Sequence, residues 1–404
     1  MAESTTDIVV RTLGPDEYRA AGAVFAGSVH KPPTPDEHWP AIEPSYEPGR
    51  VIGAFRSAEL VGMAQSFGST MAVPGGPTVP LAAVTRVGVR ADSTRRGVAT
   101  AIMRTLLESV TEPVARLWAS EGGIYGRFGY GVGTWAQTVT VDRRAAVPHP
   151  DVPAGGMVRL VDPDESDKIL SEVYERIGLA WTGAMARPRF WWAEQTAFSK
   201  IRHQFRRIAV HRGVAGDDGY AIYRVRRGGP EAYDRAKLDV EDMQSATPEA
   251  WAGLWRFLLS VDLVGDVSAE ARPVDEPVPW LFTDPRVCRV SDLMDETWLR
   301  LVDVPTALAA RSYADGDPVV IEVADALLPA NSGKYHICGD GVRRTDEPAE
   351  LALDVSVLAS LYLGGVRPST LATAGRLRVL SPAAITAADR LFTTAVVPWC
   401  GTFF

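Results

Sequence analysis

The run Val84-Thr-Arg-Val-Gly-Val-Arg-Ala-Asp-Ser-Thr-Arg-Arg-Gly-Val-Ala99, continuing through Thr100-Ala-Ile-Met-Arg-Thr-Leu-Leu-Glu-Ser-Val110, constrains the fold more than any other part of this chain. Val84, Thr85, Val87 and Val89 follow the two-residue period of a strand, whereas Val98, Ile102, Leu106 and Val110 recur at helical spacing. The segment therefore predicts a strand, a basic turn and a helix. Free N–H groups at the helix start, with Arg95 and Arg96 beside them and Gly97 admitting a close backbone approach, make the turn a site for an anion such as a pyrophosphate.

The turn resembles the cofactor motif of the GCN5-related N-acetyltransferase superfamily, Arg/Gln-x-x-Gly-x-Gly/Ala. Here it reads Thr94-Arg-Arg-Gly97-Val-Ala99, with Thr in place of the first Arg or Gln. A second segment, Leu117-Trp-Ala-Ser-Glu-Gly-Gly-Ile-Tyr-Gly-Arg-Phe-Gly-Tyr-Gly131, places five glycines in the ten residues after Glu121. That density suits a strand leading into a turn and a short helix where backbone approaches a ligand. Together the segments resemble the enhanced-intracellular-survival (Eis-type) branch, whose signature is Ser-Glu-Gly-x-Ile-Tyr-x-Arg-Phe-Gly-Tyr. The resemblance extends to Leu358-Ala-Ser-Leu-Tyr-Leu-Gly-Gly365 and to an aromatic last residue, Phe404.

This resemblance implies an α/β (α+β) chain: two tandem GNAT-like domains followed by a sterol-carrier-protein-like α+β domain. Residues 1–150 would bind acetyl-CoA and carry catalysis, 151–285 would be catalytically silent, and 286–404 would send the C-terminus into the active site. By the same resemblance Tyr125 is the general acid towards the departing thiolate, and the Phe404 carboxylate takes a proton from the attacking ammonium. The amides of Val87 and Val89 would align the pantetheine arm. Arg95, Gly97, Val98 and Ala99, with Arg96 beside them, would hold the phosphates, and Ser120 and Ile124 would line the cleft. No metal is implied.

Composition is ordinary for a folded multi-domain protein, at 46% hydrophobic and 23% charged residues. No apolar run approaches the roughly 20 residues needed to span a bilayer. The opening Met-Ala-Glu-Ser-Thr-Thr-Asp lacks the regions of a signal peptide, so a cytoplasmic location is expected. Cys288, Cys338 and Cys400 are widely separated, which indicates neither a disulfide framework nor a zinc site. Junctions are expected in the Pro/Gly tract Val147–Gly156 and in the Pro-rich stretch Ala271–Trp280. Between them Ile208–Arg212 and Gly219–Arg226 read as paired strands and Pro248–Leu259 as an amphipathic helix. In the last third Val319–Val323 reads as a strand, Asp354 as the cap of a helix ended by Gly364-Gly365, and Pro382 as the opening of another helix. Trp399, Phe403 and Phe404 would be odd as a frayed end, so the tail is expected to dock.

Acyl transfer from a thioester to an amine needs a neutral amine, a polarised carbonyl and a proton for the leaving thiolate. There is no Gly-x-Ser-x-Gly elbow and no Cys beside a His in these motifs, so direct attack is favoured over an acyl-enzyme. A phenol near ~10 against a thiol near ~8.5 makes full proton transfer uphill by roughly 2 kcal/mol unless the site lowers the phenol.

Relatives in this family acetylate aminoglycosides and lysine side chains and assemble as hexamers, so a small-molecule amine acceptor and a homo-oligomer are implied. The formal charge of −8 favours cationic, amine-bearing partners over nucleic acid, and no membrane partner is expected. Phe403 stands where some relatives have an acid, and Arg86 stands where an apolar acceptor-side residue is expected. Both weaken a polycation site. Phe25, Trp39 and Glu121 also fit the acceptor side, though each equally fits core or surface packing. Two other classes stay open: a lipid-binding protein, from the last third, and an acetyl-CoA-sensing regulator without turnover, from Thr94.

Overall fold

The computed structural model describes residues 8–227 and 236–404. The opening residues 1–7, read above for the lack of a signal segment, lie outside them. Two compact units divide the chain. One comprises the chain up to Thr134, Thr297–Ala395 and Phe404, and the other Trp135–Glu296 and Val396–Phe403.

In the first unit the chain runs β1 (Ile8–Thr12), α1 (Tyr18–Ser28), α2 (Trp39–Ile42), β2 (Val51–Arg56), β3 (Glu59–Ala72), β4 (Thr78–Val89), α3 (Val98–Ser109), β5 (Val114–Leu117) and α4 (Gly122–Tyr125). Strands β1 to β4 form an antiparallel meander, and β5 joins β4 in parallel after the α3 crossover. The helical spacing of Val98, Ile102 and Leu106 becomes one buried stripe, which packs with Ile52, Ala54, Ala64, Ala82, Val84 and Ala115 of the sheet. Burying each such side chain is worth roughly 1.5–3 kcal/mol, so this face fixes where the helix starts above the sheet.

Two local features shape the sheet around the basic turn. Pairing of β4 with β5 is confined to Leu81–Ala83 against Val114–Arg116; β5 ends at Leu117 while β4 continues to Val89, and this end of the pairing is the fork between them. Near the fork the β3–β4 register shifts between Met63, opposite Gly88, and Gln65, opposite Thr85. Arg86 sits in this bulge with φ +49°, a left-handed conformation that non-glycine residues take up at a cost.

The second unit holds most of β6 (Gly131–Asp142), then β7 (Met157–Val161), α5 (Pro163–Ile177), α6 (Arg189–Ile201), β8 (Arg207–Gly213), β9 (Gly216–Arg226), β10 (Ala236–Ser245), α7 (Pro248–Ser260) and β11 (Val264–Pro273). Its strand order is β6-β11-β10-β9-β8-β7, parallel only between β10 and β11 on either side of α7. The expected strand pair is β8–β9. Thr247 caps α7 by accepting the Ala250 N–H, and the helix buries Leu254, Trp255 and Leu258.

Segment Val396–Phe403 docks within this unit. Trp399 Nε1 donates to the Ala271 carbonyl at 2.7 Å, Glu296 accepts from the N–H groups of Cys400 and Gly401 at 3.1 and 2.6 Å, and Trp191 Nε1 donates to the Phe403 carbonyl at 2.8 Å. Phe403 differs from the expectation of a docked aromatic, because the residue stays 54% exposed while its carbonyl accepts a hydrogen bond.

The chain re-enters the first unit within β12 (Cys288–Leu301), whose Trp298–Leu301 pairs antiparallel with β5. There follow α8 (Val304–Ala310), β13 (Val319–Ala324), β14 (Gly333–Cys338), β15 (Gly341–Arg344), β16 (Leu351–Asp354), α9 (Val355–Leu361), α10 (Pro368–Thr373), β17 (Arg378–Val379) and α11 (Pro382–Phe392), with sheet order β15-β14-β13-β16-β17. Asp354 accepts from the N–H groups of Ser356 and Val357, and Pro382 opens α11. No helix among the described residues is long and apolar enough to cross a membrane.

Candidate active site

The anion turn forms as its residues dictate. Thr94 Oγ1 donates to the Ala91 carbonyl at 3.0 Å and closes a short helical turn, so the residue that departs from the motif has a local task. Arg95 and Gly97 follow with φ +61° and +85°. Gly97 caps α3 without a side-chain hydrogen bond, which leaves the N–H groups of Val98 and Ala99 unclaimed by a side-chain cap. Arg95 and Arg96 are exposed at the same turn, whereas the Val98 side chain is buried in the core and can contribute only its backbone. Donors, helix dipole and cations converge there, which fits a pyrophosphate.

Val87 and Val89 lie on the forked stretch of β4, where no β5 rung takes up their backbone groups, as an added-strand ligand requires. Their side chains pack on the α3 core. Across the fork β5 leads into the glycine-rich turn. Ser120 is exposed, Ile124 half-buried and Tyr125 buried in the core shared with α3.

Burial pushes the Tyr125 phenol above its ordinary value. A hydrogen bond from Ser120 favours the phenolate and partly opposes this, while the charge of nearby Glu121 adds to the rise. The site thus raises the phenol, where easy proton transfer would need it lowered. Tyr125 therefore stays protonated, a hydrogen-bond donor, at neutral pH. Glu121 itself is exposed at the start of α4.

The turn behind Tyr125 is clamped by the last third of the chain. Tyr130 N–H donates to the Tyr125 carbonyl at 3.3 Å, and the rings of the two tyrosines lie 6.0 Å apart, edge to face. Gly129 has φ +83°, and a Cβ there would lie 2.7 Å from the Arg300 guanidinium carbon. Arg300 is itself buried and paired with Asp325 at 2.6 and 2.8 Å. At Gly131 a Cβ would fall 1.9 Å from the Ser356 carbonyl of α9. These glycines are thus required by packing.

Phe404 lies on the other face of the sheet. Its ring meets that of Phe67 edge to face at 5.2 Å, and the Arg116 guanidinium lies over it at 5.0 Å. Arg116 is fully buried and opposite Ala83, the last rung before the fork. Alternation along β5 sends Ala115 and Leu117 into the α3 core and Arg116 to the opposite face. Tyr125 and Phe404 thus flank the forked strands from the two sides.

Of the acceptor-side residues, Arg86 and Trp39 meet around Tyr46 and Phe25 lies close by, whereas Glu121 sits at the glycine-rich turn and Phe403 belongs to the second unit. Arg86 donates to Ser45 Oγ at 3.1 Å and stacks over Tyr46 at 5.0 Å, Trp39 tilts against Tyr46 at 5.4 Å, and Phe25 lies beneath Gly88. Ser45, Tyr46, Phe67 and Arg116 were not singled out from sequence. One signal was legible: Arg116 is a charged residue inside the short apolar run Pro113-Val-Ala-Arg-Leu117.

Known proteins resemble this chain over most of its length. Models of an acetyltransferase (GNAT) domain match residues 9–133 and 183–301, and a sterol carrier protein domain matches 304–401. The chain is 39% identical to the N-acetyltransferase Eis of Mycobacterium bovis over 85% of its length and 86% of that protein's. It is 37% identical to an uncharacterized N-acetyltransferase of Streptomyces avermitilis over 98% of both. The crystal structure of Eis1 from Mycobacterium abscessus superposes with TM-score 0.89 at 41% identity, covering 98% of this chain and all of that one. A GCN5-related N-acetyltransferase from Anabaena variabilis shares the fold at TM-score 0.84 and 20% identity, again over 98% of this chain and all of that one. With two GNAT domains, a sterol carrier domain and this level of identity over most of its length, the chain belongs to the Eis-type family of GCN5-related N-acetyltransferases.

Proposed function

We propose that the enzyme moves acetyl from acetyl-CoA to a primary amine, of an aminoglycoside or of a lysine side chain, by direct attack at the fork between β4 and β5. The observation that carries this reading is the seat of Phe404, whose ring rests on Phe67 and Arg116 at the last rung before that fork. In it, Arg95, Arg96, Gly97, Val98 and Ala99 hold the phosphates and the amides of Val87 and Val89 pair with the pantetheine arm, with Ser120 and Ile124 at its edge. Acetyl-CoA supplies the activated thioester.

The amine nitrogen forms the new bond to the carbonyl carbon as the C–S bond breaks. The Phe404 carboxylate attracts the ammonium and accepts its proton, directly or through water. With a reference pKa of about 3.5 it is a weak base, so orientation and charge are a large part of its work. Tyr125 donates to the leaving sulfur. Three segments (1–150, 151–285, 286–404), a homo-hexamer and a cytoplasmic location complete the reading. Thiol-release kinetics with acetyl-CoA across aminoglycosides and lysine peptides test it, and no turnover with any amine would leave a cofactor-binding regulator instead.

A further inference from the structure

Behind the turn that carries Tyr125 lies a cleft of about 220 Å³ that the proposed reaction does not use. One wall is the glycine face of α4 and the residue after it: Gly122, Gly123 and Gly126. Tyr130 and Trp298 line the cleft beside them, and Val357, Ser360, Leu371 and Arg376 come to it from the last third of the chain. Ile124 and Tyr125 turn away from this wall and pack with the α3 core.

Neither packing nor backbone geometry accounts for the glycine wall. None of its three residues has the positive φ at which glycine is needed, and Gly126 sits at φ −55° and ψ −37°, ordinary helical values. A Cβ at Gly123 or Gly126 would meet nothing within 4 Å, and one at Gly122 would meet only the Trp298 ring, at 3.6 Å. Gly129 and Gly131 of the same turn are the contrast, since packing forbids a side chain at either. The three bare positions leave exposed peptide planes against which a flat molecule can lie.

The other lining groups narrow its chemistry. Arg376 lies 3.7 Å from Asp354, so its charge is already compensated and an anion gains little there. The Ser356 hydroxyl donates to Asp354 and that of Ser360 to the Ser356 carbonyl at 3.3 Å, so both offer lone pairs and no proton. The Tyr130 hydroxyl, on a residue only 1% exposed, has no hydrogen-bond partner. Trp298, Val357 and Leu371 supply apolar surface. A cavity of about 150 Å³ holds benzene, so this one has room for a fused or substituted ring.

We propose that this cleft is a second ligand site, which takes a small, flat, uncharged aromatic molecule carrying one hydrogen-bond donor. A molecule there bears on the turn whose other face carries Tyr125, so its occupancy changes turnover more than it changes the hold on acetyl-CoA. That consequence rests on the acetyltransferase reading above, whereas the binding itself does not.

Indole, 1-methylindole and indole-3-acetate test the site by calorimetry on the full chain, with and without saturating acetyl-CoA. Indole is expected to bind once per chain and to stay bound beside the cofactor. Binding of 1-methylindole should be about three- to tenfold weaker for its lost donor, and indole-3-acetate should also be weaker than indole. Gly123→Ala combined with Gly126→Ala adds two methyl groups to the cleft without a clash, so melting temperature should hold or rise while indole affinity falls about fivefold or more. Leu371→Trp fills the cleft from the opposite wall and should repeat the loss. Saturating indole should shift kcat for thiol release about twofold or more, with KM for acetyl-CoA near its native value. The proposal is overturned by absence of indole binding, by displacement of indole by acetyl-CoA, by equal binding of either analogue, by full affinity in both folded variants, or by an unchanged kcat in a chain that turns over. Absence of turnover with every amine, with indole bound by the native chain and lost in the variants, would count against the acetyltransferase reading instead.

Discussion

The ring of Phe404 stands edge-on to the ring of Phe67, with centroids 5.2 Å apart, and Phe67 is only 1% exposed. The last residue of the chain is therefore seated by its side chain on β3, and the seat decides where its α-carboxylate can lie. Phe67→Leu keeps most of the buried volume but loses the aromatic pair, worth about 0.5–1.5 kcal/mol. The expected outcome is a small loss in melting temperature and a clear fall in kcat, with KM for acetyl-CoA nearly unchanged. Steady-state kinetics beside calorimetry checks it.

Tyr125 gives a pH signature. Burial raises the phenol above its ordinary value near 10, so the protonated, donor-competent form dominates at neutral and mildly alkaline pH. An alkaline fall in kcat with a midpoint below pH 10 would have to come from another group. Tyr125→Phe is expected to lower kcat about 10²- to 10⁴-fold with acetyl-CoA binding preserved, as removal of a proton donor should. A pH–rate profile of both proteins, with cofactor binding by calorimetry, tests the two statements.

Gly97 takes φ +85° at the head of α3. Gly97→Ala forces a Cβ into that conformation at a cost of about 1–2 kcal/mol and obstructs the anion turn. KM for acetyl-CoA is expected to rise more than kcat falls. Arg95→Ala with Arg96→Ala should weaken cofactor binding and flatten its dependence on salt. Titrations at two ionic strengths separate the strain from the charge.

Gly131→Ala probes the clamp behind Tyr125. The new Cβ would meet the Ser356 carbonyl at 1.9 Å, a backbone contact that must shift, for about 1–3 kcal/mol of stability. Activity is expected to fall together with melting temperature, because the shift moves the turn that ends at Tyr130. A variant of unchanged melting temperature would refute the contact.

The thiols should divide by burial. Cys288 is buried and its thiol is pushed up to about 11, by burial first and by Glu276 second, so almost none is thiolate at pH 8. Cys338 is half-exposed and Cys400 buried. Iodoacetamide is expected to label Cys338 first, and Cys288 and Cys400 only on unfolding, with acetyl transfer retained after the first labelling. Peptide mass mapping reads this out.

Much of this was legible in the sequence where local rules and packing agree. The period change from Val89 to Val98 marked β4 and α3, Asp354 and Pro382 marked helix starts, and glycine density marked the turn around Tyr125. What stayed hidden depends on residues distant in sequence. Nothing near position 67 reveals that residue 404 lies against it, and although Arg86 stands out in the sequence as a cation at a strand position, the register shift opposite Met63 and Gln65 and its stacking on Tyr46 do not. The raised phenol of Tyr125 likewise follows from burial in a core that the sequence does not enumerate. Phe403 shows the converse: an aromatic tail residue can stay exposed while its backbone carbonyl accepts a hydrogen bond from Trp191.

The most direct test of the account is to add one glycine after Phe404, which keeps the ring available for its seat and moves the terminal carboxylate one residue on. Thiol release with acetyl-CoA and a lysine peptide should then fall by two orders of magnitude or more, while acetyl-CoA binding and melting temperature stay near those of the native chain. Native turnover in the extended chain would contradict a working role for that carboxylate at the fork.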